Sequence, residues 1–357
     1  MAGQRGWPRS QVNTALRGRR EAQIASFLLV SSKVFGRGGC SASRGMSQVG
    51  QTLGIHNIAV GVDFSLDAES AVRLAVSLCK ESGAKLVLIH VGPAAVAGPA
   101  SRLPSVREWG RLVAIRAQEA EARMEQLLSE VRAEGADASC IVVDGEPAEA
   151  LATAADVSEA DLLVVGTHGL GAAKHFLLGS VAERVVRLAT CNVLVTREGA
   201  DETVAPRRIL LATDFSAHAE IALRVAIDFA GQGGTVDIVH FWDLSPIVSS
   251  LIGSETEGSV IGALGEEMEL DVVERGAKLL AAHQRQGITL SFEAIRGKAS
   301  NGIVQWQKNS DHPYDLVVTG SHGRRGIRRF FLGSVAETVV RNATCSALVV
   351  HQRPKSG

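Results

Sequence analysis

The chain has 357 residues, a length typical of two domains, and hydrophobic residues make up 46% and charged residues 21% of it. It contains no apolar run of the length that a membrane-spanning helix needs, so we expect no membrane partner. A net charge of −1 and an aromatic content of 4% argue against nucleic-acid binding through bulk charge or base stacking.

The first 45 residues differ in composition from the rest. They hold seven arginines, one lysine and one acidic residue, which leaves a net charge of −8 for the remainder. Three interpretations are open: an Arg- and Ser-rich transit peptide, a secretory signal with its apolar run at 24–30, or a start codon assigned too early, ahead of Met46. We favour the last, and we treat residues 1–50 as a disordered or non-native extension outside the fold.

The rest of the sequence contains two copies of one unit. The segment 58–65 recurs as 209–216, and the segment 161–169 recurs as 315–323. The offset changes by only three residues between these pairs, so the whole unit is repeated. We therefore expect two domains of one kind, at 55–198 and 206–353, joined by a short polar linker at 199–206.

Strand and helix signals alternate along each copy. Short apolar runs predict strands, and apolar residues at helical spacing predict helices. In chain order the first copy predicts a strand at 58–62, a helix at 65–83, a strand at 86–91, a helix at 111–134, a strand at 139–143, a helix opening at Pro147, a strand at 162–165, a helix at 180–188 and a strand at 193–196.

Continuous apolar strands separated by helices indicate a parallel sheet that is covered on both faces. We therefore predict an α/β fold: two copies of a doubly wound, Rossmann-like parallel sheet of five strands. In such sheets ligands bind at the carboxyl ends of the strands.

The five cysteines show no CxxC or other metal spacing. Cys191 and Cys345 stand in matching contexts at the start of strand-like runs, which is typical of small buried hydrophobic residues. A reducing compartment suits this use of cysteine best, so we expect a cytoplasmic protein without a metal site.

A glycine-rich loop follows the fourth strand of each copy. In the first copy Gly166-Thr-His-Gly169 is followed, nine residues later, by Gly179-Ser180 at the start of a helix. Glycines let a backbone approach a ligand closely, and the N–H groups at a helix start attract phosphate. A capping box, formed by Ser180 with Glu183 and by Ser334 with Glu337, is the structural alternative.

The pattern G-x-x-G-9x-G-S after a parallel strand, with an Asp-Phe-Ser turn after the first strand, resembles the universal stress protein family. The resemblance covers some 290 residues in both halves, as in the tandem members of that family, and implies a fold related to the adenine nucleotide alpha hydrolases. Neither a Walker motif nor a GxGxxG fingerprint is present, which argues against P-loop or dinucleotide chemistry.

The resemblance implies that ATP is bound, with or without Mg. Asp63 and Asp214 would lie at the adenosine end, and the backbones of Val91 and Phe241 would contact adenine. The ribose and phosphates would be held by Gly166, Gly169, Gly179 and Ser180 in the first copy and by Gly320, Gly323, Gly333 and Ser334 in the second, with the N–H groups of Val181 and Val335. The copies differ before the aspartate, where Thr213 keeps a hydroxyl that Val62 lacks.

The loop after the third strand differs in charge between the copies. The first copy places Asp144 and Glu146 there, and the second places Arg296 and Lys298. Positive charge favours a polyphosphate, so we expect tighter ATP binding in the second copy. Further arginines follow the second glycine motif, namely Arg324, Arg325, Arg328 and Arg329.

The leading interpretation is an ATP-binding tandem protein of the stress response that regulates an unidentified protein partner. The alternatives are an interaction module that binds no nucleotide and a slow ATPase. No catalytic residue is identifiable, because no sequence spacing supplies His168 or His322 with a carboxylate partner. We expect the last strands, at 193–196 and 347–350, to join the two domains within one chain, and a homodimer is a further option.

Overall fold

The computed structural model describes residues 54–92, 104–169, 178–197, 205–243, 257–322 and 332–352, with only the backbone described at 104–107 and 257–262. The predicted extension at 1–50 and most of the predicted linker lie outside the described residues. So do Gly323 and the arginines that follow it.

The first domain alternates strands with helices. Its elements are β1 Asn57–Gly61, α1 Leu66–Ser82, β2 Lys85–Gly92, α2 Pro104–Ala133, β3 Ala138–Asp144, α3 Pro147–Val157, β4 Leu162–Gly166, α4 Ser180–Leu188 and β5 Asn192–Thr196. Ser65 begins α1 by accepting a hydrogen bond from the Ala68 N–H at 3.2 Å, and Gly83 ends it in the left-handed conformation.

The second domain repeats this order. Its elements are β6 Arg208–Ala212, α5 Ala217–Ala230, β7 Thr235–Trp242, α6 Glu257–His283, β8 Thr289–Arg296, α7 Ala299–Lys308, β9 Leu316–Gly320, α8 Ser334–Asn342 and β10 Ser346–Val350. Ser216 caps α5 as Ser65 caps α1.

The ten strands form one sheet in the order β3-β2-β1-β4-β5-β10-β9-β6-β7-β8. Neighbours are parallel except β5 and β10, which pair antiparallel with Leu194 opposite Leu348. This pairing joins the domains where the last strands were expected to meet. It also covers two strand edges that would otherwise be open to other chains.

Helices cover both faces of the sheet, as predicted. Alternate strand residues point to opposite layers: Ile58 and Val60 pack under α1 and α2, whereas Ala59 packs under α3 and α4. The doubly wound α/β fold in two copies is therefore confirmed.

One predicted boundary is wrong, because α2 begins at Pro104 and not at Arg111. Trp109 and Leu112 are about half exposed, so the first turns of this helix lack the buried stripe that reveals a helix in a sequence. Among the described helices, none combines the length and apolar character needed to cross a membrane.

Candidate functional site

A cavity of about 890 Å³ opens at the carboxyl ends of β6, β7 and β9, which is where a doubly wound sheet is expected to hold its ligand. Its walls come from the turn after β6, the end of β7, α6 and the start of α8. Ligand pockets in proteins are commonly about 300–1,000 Å³. The cavity therefore has the size and the place of a ligand site.

The Asp-Phe-Ser turn has the same shape in both domains. The backbone N–H of the serine donates to the preceding aspartate, at 3.0 Å from Ser65 to Asp63 and at 2.9 Å from Ser216 to Asp214. The phenylalanine between them has a positive φ in both domains, 63° at Phe64 and 58° at Phe215. Such a backbone is unusual for an aromatic residue, so the packing around the ring must hold it.

Each of these phenylalanines lies between a histidine and an arginine. In the second domain the Phe215 ring lies 4.6 Å from the His240 ring. The guanidinium of Arg275, a residue of α6, lies 4.2 Å from the centre of the Phe215 ring. His240 Nδ1 donates to the Thr213 carbonyl at 2.7 Å. The first domain repeats the arrangement with His90 and Arg123 around Phe64.

Arg275, which packs on Phe215, is part of the cavity wall. It is held there by cation–π packing on Phe215 rather than by a strong ion pair, since Asp271 is 3.9 Å away. Sequence reasoning did not identify Arg275. Its repetition as Arg123 in the long helix of the other copy is the signal that could have found it.

The helices after the glycine loops begin at glycine, which contradicts the capping-box alternative. Gly179 and Gly333 are the N-caps, and neither provides a side-chain cap. Ser180 and Ser334 are therefore the first helical residues and do not cap. The glutamate N–H in each first turn bonds to the glycine carbonyl, so the N–H groups of the three residues before it have no acceptor within the helix.

The glycine loops are tied to these helix starts. The Gly179 N–H donates to the Thr167 carbonyl at 2.8 Å, and the Gly333 N–H donates to the Ser321 carbonyl at 2.9 Å. A Cβ on Gly179 would lie 2.7 Å from the Thr167 oxygen, so this close approach requires glycine. The arrangement suits an anion placed between the loop and the helix start.

Most of the residues predicted for the second site meet in the cavity. Those that line it are Thr213, Asp214, Phe241, Gly320, Gly333, Ser334 and Val335. Gly323 lies outside the described residues. The Thr213 hydroxyl, which distinguishes this copy, accepts from the Phe215 N–H at 3.1 Å and so supports the turn.

The residues predicted for the first site occupy the matching elements. Gly166 ends β4, Val91 lies near the end of β2, and Ser180 and Val181 begin α4. Asp63 lies against the glycine loop, because a Cβ on Gly169 would come within 2.5 Å of Asp63 Oδ2.

The two basic residues of the third-strand loop in the second domain do not line the cavity. The Arg296 guanidinium lies over the Trp242 ring at 5.8 Å and Lys298 is the N-cap residue of α7, so neither lines the cavity. In the first domain Glu146 caps α3 and binds Arg184 at 2.8 Å. Arg296 and Lys298 therefore offer a ligand in the cavity no direct contact, and tighter ATP binding in the second domain stays a prediction.

Acidic side chains predominate in the described cavity wall. Arg275 is accompanied there by Asp214, Asp243, Glu267 and Asp271. Trp242, Leu264 and Met268 form an apolar wall at the β7 and α6 side, and the first N–H groups of α8 lie at the other side. A ligand with an apolar ring at one end and negative charge at the other fits these two ends.

His168 has a carboxylate partner that its sequence neighbourhood does not reveal. Asp67 Oδ2 lies 3.2 Å from His168 Nδ1, although 101 residues separate them. In the second domain His218 stands in place of Asp67, and its ring lies 6.2 Å from the ring of His322. The two glycine loops therefore rest on different side chains.

Charged residues link α4 to α8 across the domain junction. Two ion pairs cross between the helices, Arg187–Glu337 at 3.3 Å and Arg341–Glu183 at 2.7 Å. Two more lie within a single helix, Arg187–Glu183 in α4 and Arg341–Glu337 in α8, each at 3.1 Å. Burial raises the pKa of Glu183, but hydrogen bonds from Arg341 and Arg187 outweigh this effect and lower the pKa. Glu183 is thus engaged by arginines and not by a capping box.

The far ends of the same helices are capped by the other domain. The Arg197 guanidinium donates to the Val340 and Arg341 carbonyls at the end of α8, at 2.8 and 2.9 Å. His351 Nε2 donates to the Val186 carbonyl near the end of α4, at 3.0 Å. Burial lowers the pKa of His351 to about 4, so this ring is neutral at pH 7.

The family model of the universal stress proteins, described as "Universal stress protein family", matches residues 54–197 and 206–351. These two matches cover most of the chain. The chain belongs to the universal stress protein family. Membership supports a role in the stress response.

Curated universal stress proteins with two domains match along almost their whole length. The universal stress protein Rv2005c of Mycobacterium tuberculosis is 31% identical over 309 residues, which are 83% of this chain and 97% of that protein. The universal stress protein Rv2623 of the same organism is 30% identical over 322 residues, 86% of this chain and 99% of that protein.

Solved structures show the same fold. A universal stress protein from Archaeoglobus fulgidus aligns with a TM-score of 0.55 and 19% identity over 83% of this chain and 96% of its own. The functionally unknown protein PA1789 from Pseudomonas aeruginosa aligns with a TM-score of 0.58 and 17% identity over 84% of this chain and 94% of its own. At such identities the likeness concerns the fold alone.

Proposed function

We propose that this universal stress protein binds ATP in the cavity of its second domain and acts as a nucleotide-dependent regulator in the stress response. The observation that carries the proposal is the start of α8. Its first N–H groups, which have no acceptor within the helix, and the Ser334 hydroxyl border a cavity of about 890 Å³ beside the glycine loop.

The residues of the cavity fit the parts of the nucleotide. The apolar wall of Trp242, Leu264 and Met268 would accept the adenine ring beside the backbone of Phe241. Asp214 would accept hydrogen bonds from the ribose hydroxyls. Gly320, Gly333 and Ser334 would surround the phosphates, with the N–H of Val335 as a further donor.

The phosphates would bring any magnesium ion with them. Over the described ranges, no three His, Cys, Asp or Glu side chains gather into a metal site, and the phosphates themselves are good magnesium ligands. The first domain offers the same kind of site, with Asp63, Val91, Gly166, Gly169, Gly179, Ser180 and Val181 in the matching roles. Nucleotide in the cavity would order the glycine loop and so alter the surface offered to a protein partner.

Calorimetric titration of ATP into the full chain, freed of bound nucleotide, tests the proposal. Ser334→Asp places a carboxylate at the first helical position, where the helix dipole favours it, so the fold should remain stable. The same carboxylate repels phosphate, and we expect ATP binding at this site to weaken about 100-fold. Ser334→Ala is the control and should weaken ATP binding only a few-fold, through the loss of one hydrogen bond.

Three outcomes would contradict this proposal. No saturable binding by the unmodified chain at millimolar ATP would favour the interaction module that binds no nucleotide. Steady phosphate release that Ser334→Asp abolishes would favour a slow ATPase over a regulator. Equal ATP affinity in the unmodified and Ser334→Asp chains would show that the nucleotide does not bind at the start of α8.

A further inference from the structure

The glycine loop of the first domain is fastened to α1 by one buried carboxylate. Asp67 is 9% exposed, and its Oδ2 accepts from Thr167 Oγ1 at 2.8 Å and from the His168 N–H at 2.7 Å. His168 Nδ1 lies 3.2 Å from the same oxygen. We call this set of contacts the Asp67 clamp.

The clamp draws the loop close to the helix. A Cβ on Gly166 would lie 2.7 Å from the Asp67 Cβ and 2.8 Å from its carbonyl carbon. A Cβ on Gly320 in the second domain would lie 3.6 Å from the His218 Cβ, which is an ordinary contact. The second loop therefore stands farther from its helix, and no carboxylate lies beneath it at this position.

The clamp affects an anion in two ways. It occupies the His168 N–H, which belongs to the loop that would otherwise offer backbone donors to phosphate. It also places a negative charge in a poorly hydrated position, where electrostatic interactions are screened less than at the surface. Both effects weaken a highly charged ligand and leave an uncharged one almost unaffected.

The neighbouring cations do not remove this charge from the loop. Arg197 lies near enough to Asp67 to interact with it, but its guanidinium donates to carbonyls at the end of α8. His168 shares one Asp67 oxygen with two other donors. In the second domain an imidazole, which carries either no charge or a positive one, replaces the carboxylate.

We propose that Asp67 is a specificity-determining residue, which restricts the first site to ligands of low negative charge such as adenosine, while the second site, with His218, accepts the triphosphate. This inference rests on the proposed function and refines it. It adds the charge beneath the glycine loop to the third-strand charges as a reason for a difference between the sites. One chain would then respond to two forms of the same nucleotide.

The test examines one site at a time in the full chain. Ser334→Asp blocks the phosphate end of the second site, and ATP and adenosine are then titrated into this variant and into the same variant with Asp67→Asn. Asparagine keeps an oxygen that accepts from the His168 N–H but removes the charge. We expect ATP to bind the first site about tenfold more tightly after Asp67→Asn, with adenosine affinity changed less than about twofold.

A reciprocal variant provides the second measurement. In a chain whose first site is blocked by Ser180→Asp, His218→Asp should weaken ATP binding at the second site about tenfold and leave adenosine binding unchanged. This measurement decides the matter if Asp67→Asn fails to fold, which thermal unfolding would reveal.

The outcomes separate this inference from the proposed function. If ATP binds at the second site but neither Asp67→Asn nor His218→Asp alters the preference for ATP over adenosine, the role of Asp67 is overturned. The proposed function is then unaffected. Equal ATP affinity at both unmodified sites would also overturn the role of Asp67. Failure of ATP and adenosine to bind any variant would overturn the proposed function and this inference together.

Discussion

Asp67 in the first domain and His218 in the second occupy the same place on the helix after the first strand, yet the two glycine loops rest on them differently. Elsewhere the domains agree closely: both hold a phenylalanine at positive φ between a histidine and an arginine, and both begin the last helix at glycine. The packing that shapes the site has thus been kept in both copies. The charge beneath the loop differs, and charge selects among ligands of similar shape.

Replacing the glycine at the end of the fourth strand by alanine should show the largest difference in stability between the two domains. Gly166→Ala would drive its Cβ into the backbone of Asp67, and we expect it to destabilise the chain by about 3 kcal/mol. Gly320→Ala meets its nearest atoms at 3.5–3.6 Å and should change stability by less than about 0.5 kcal/mol. Chemical denaturation of both variants measures the difference.

The same pair tests the Asp67 clamp. Gly166→Ala should release the loop from α1, so the backbone amide of His168 should lose protection from hydrogen exchange, while that of His322 should not change in Gly320→Ala. Equal stability losses in the two variants would mean that the loops are equally close to their helices, and the structural difference between the domains would be wrong.

His351 and Arg197 each follow the last strand of a domain, but only His351 should make the folding stability depend on pH. Burial lowers the pKa of His351 to about 4, well below the 6.5 expected in the unfolded chain. Between these values the unfolded chain binds a proton that the folded chain does not, so His351 makes stability fall as pH falls from 6.5 towards 4. We expect a loss of about 2 kcal/mol between pH 7 and pH 5. Arg197, the matching residue, stays charged throughout this range and contributes no such dependence.

His351→Gln isolates this contribution. Glutamine can still donate to the Val186 carbonyl but does not titrate, so the variant should lose about 2 kcal/mol less than the unmodified chain over the same interval. Urea unfolding at pH 7, 6 and 5 gives both curves, and the other titrating groups cancel in the comparison. Parallel curves would show that His351 takes up a proton as readily in the folded chain as in the unfolded one, so that its pKa is not lowered by folding.

The repeat, the alternating elements and the glycine spacing were enough to predict the fold and most of the cavity wall. These features are local, or they recur at a fixed offset, and a sequence displays both directly. Asp67 and His168 are 101 residues apart and meet only because β1 and β4 are neighbours in the sheet, so no local pattern reveals their contact. The capping-box interpretation of Ser180 and Glu183 was wrong because the helix begins one residue earlier than the motif requires, with Gly179 as its N-cap. The arginine that binds Glu183 instead comes from the other domain, which no local pattern reveals.

The ion pairs at the junction should give the smallest effect, and they test whether the two domains support each other. Arg187 and Glu337 lie on different domains with their charged groups 3.3 Å apart and about 30% of each side chain exposed. A double-mutant cycle with alanine at both positions should give a coupling of about 0.5–1 kcal/mol.

Lys80 and Glu134 form a comparable ion pair of 3.1 Å within the first domain, but both side chains are about half exposed. Their coupling should stay below about 0.5 kcal/mol and vanish in 1 M salt, because exposed charges are screened more strongly. Zero coupling between Arg187 and Glu337, with a measurable one between Lys80 and Glu134, would show that this ion pair adds nothing to the domain junction. The junction would then depend on the β5–β10 pairing, on Arg341–Glu183 and on the hydrogen bonds of Arg197 and His351.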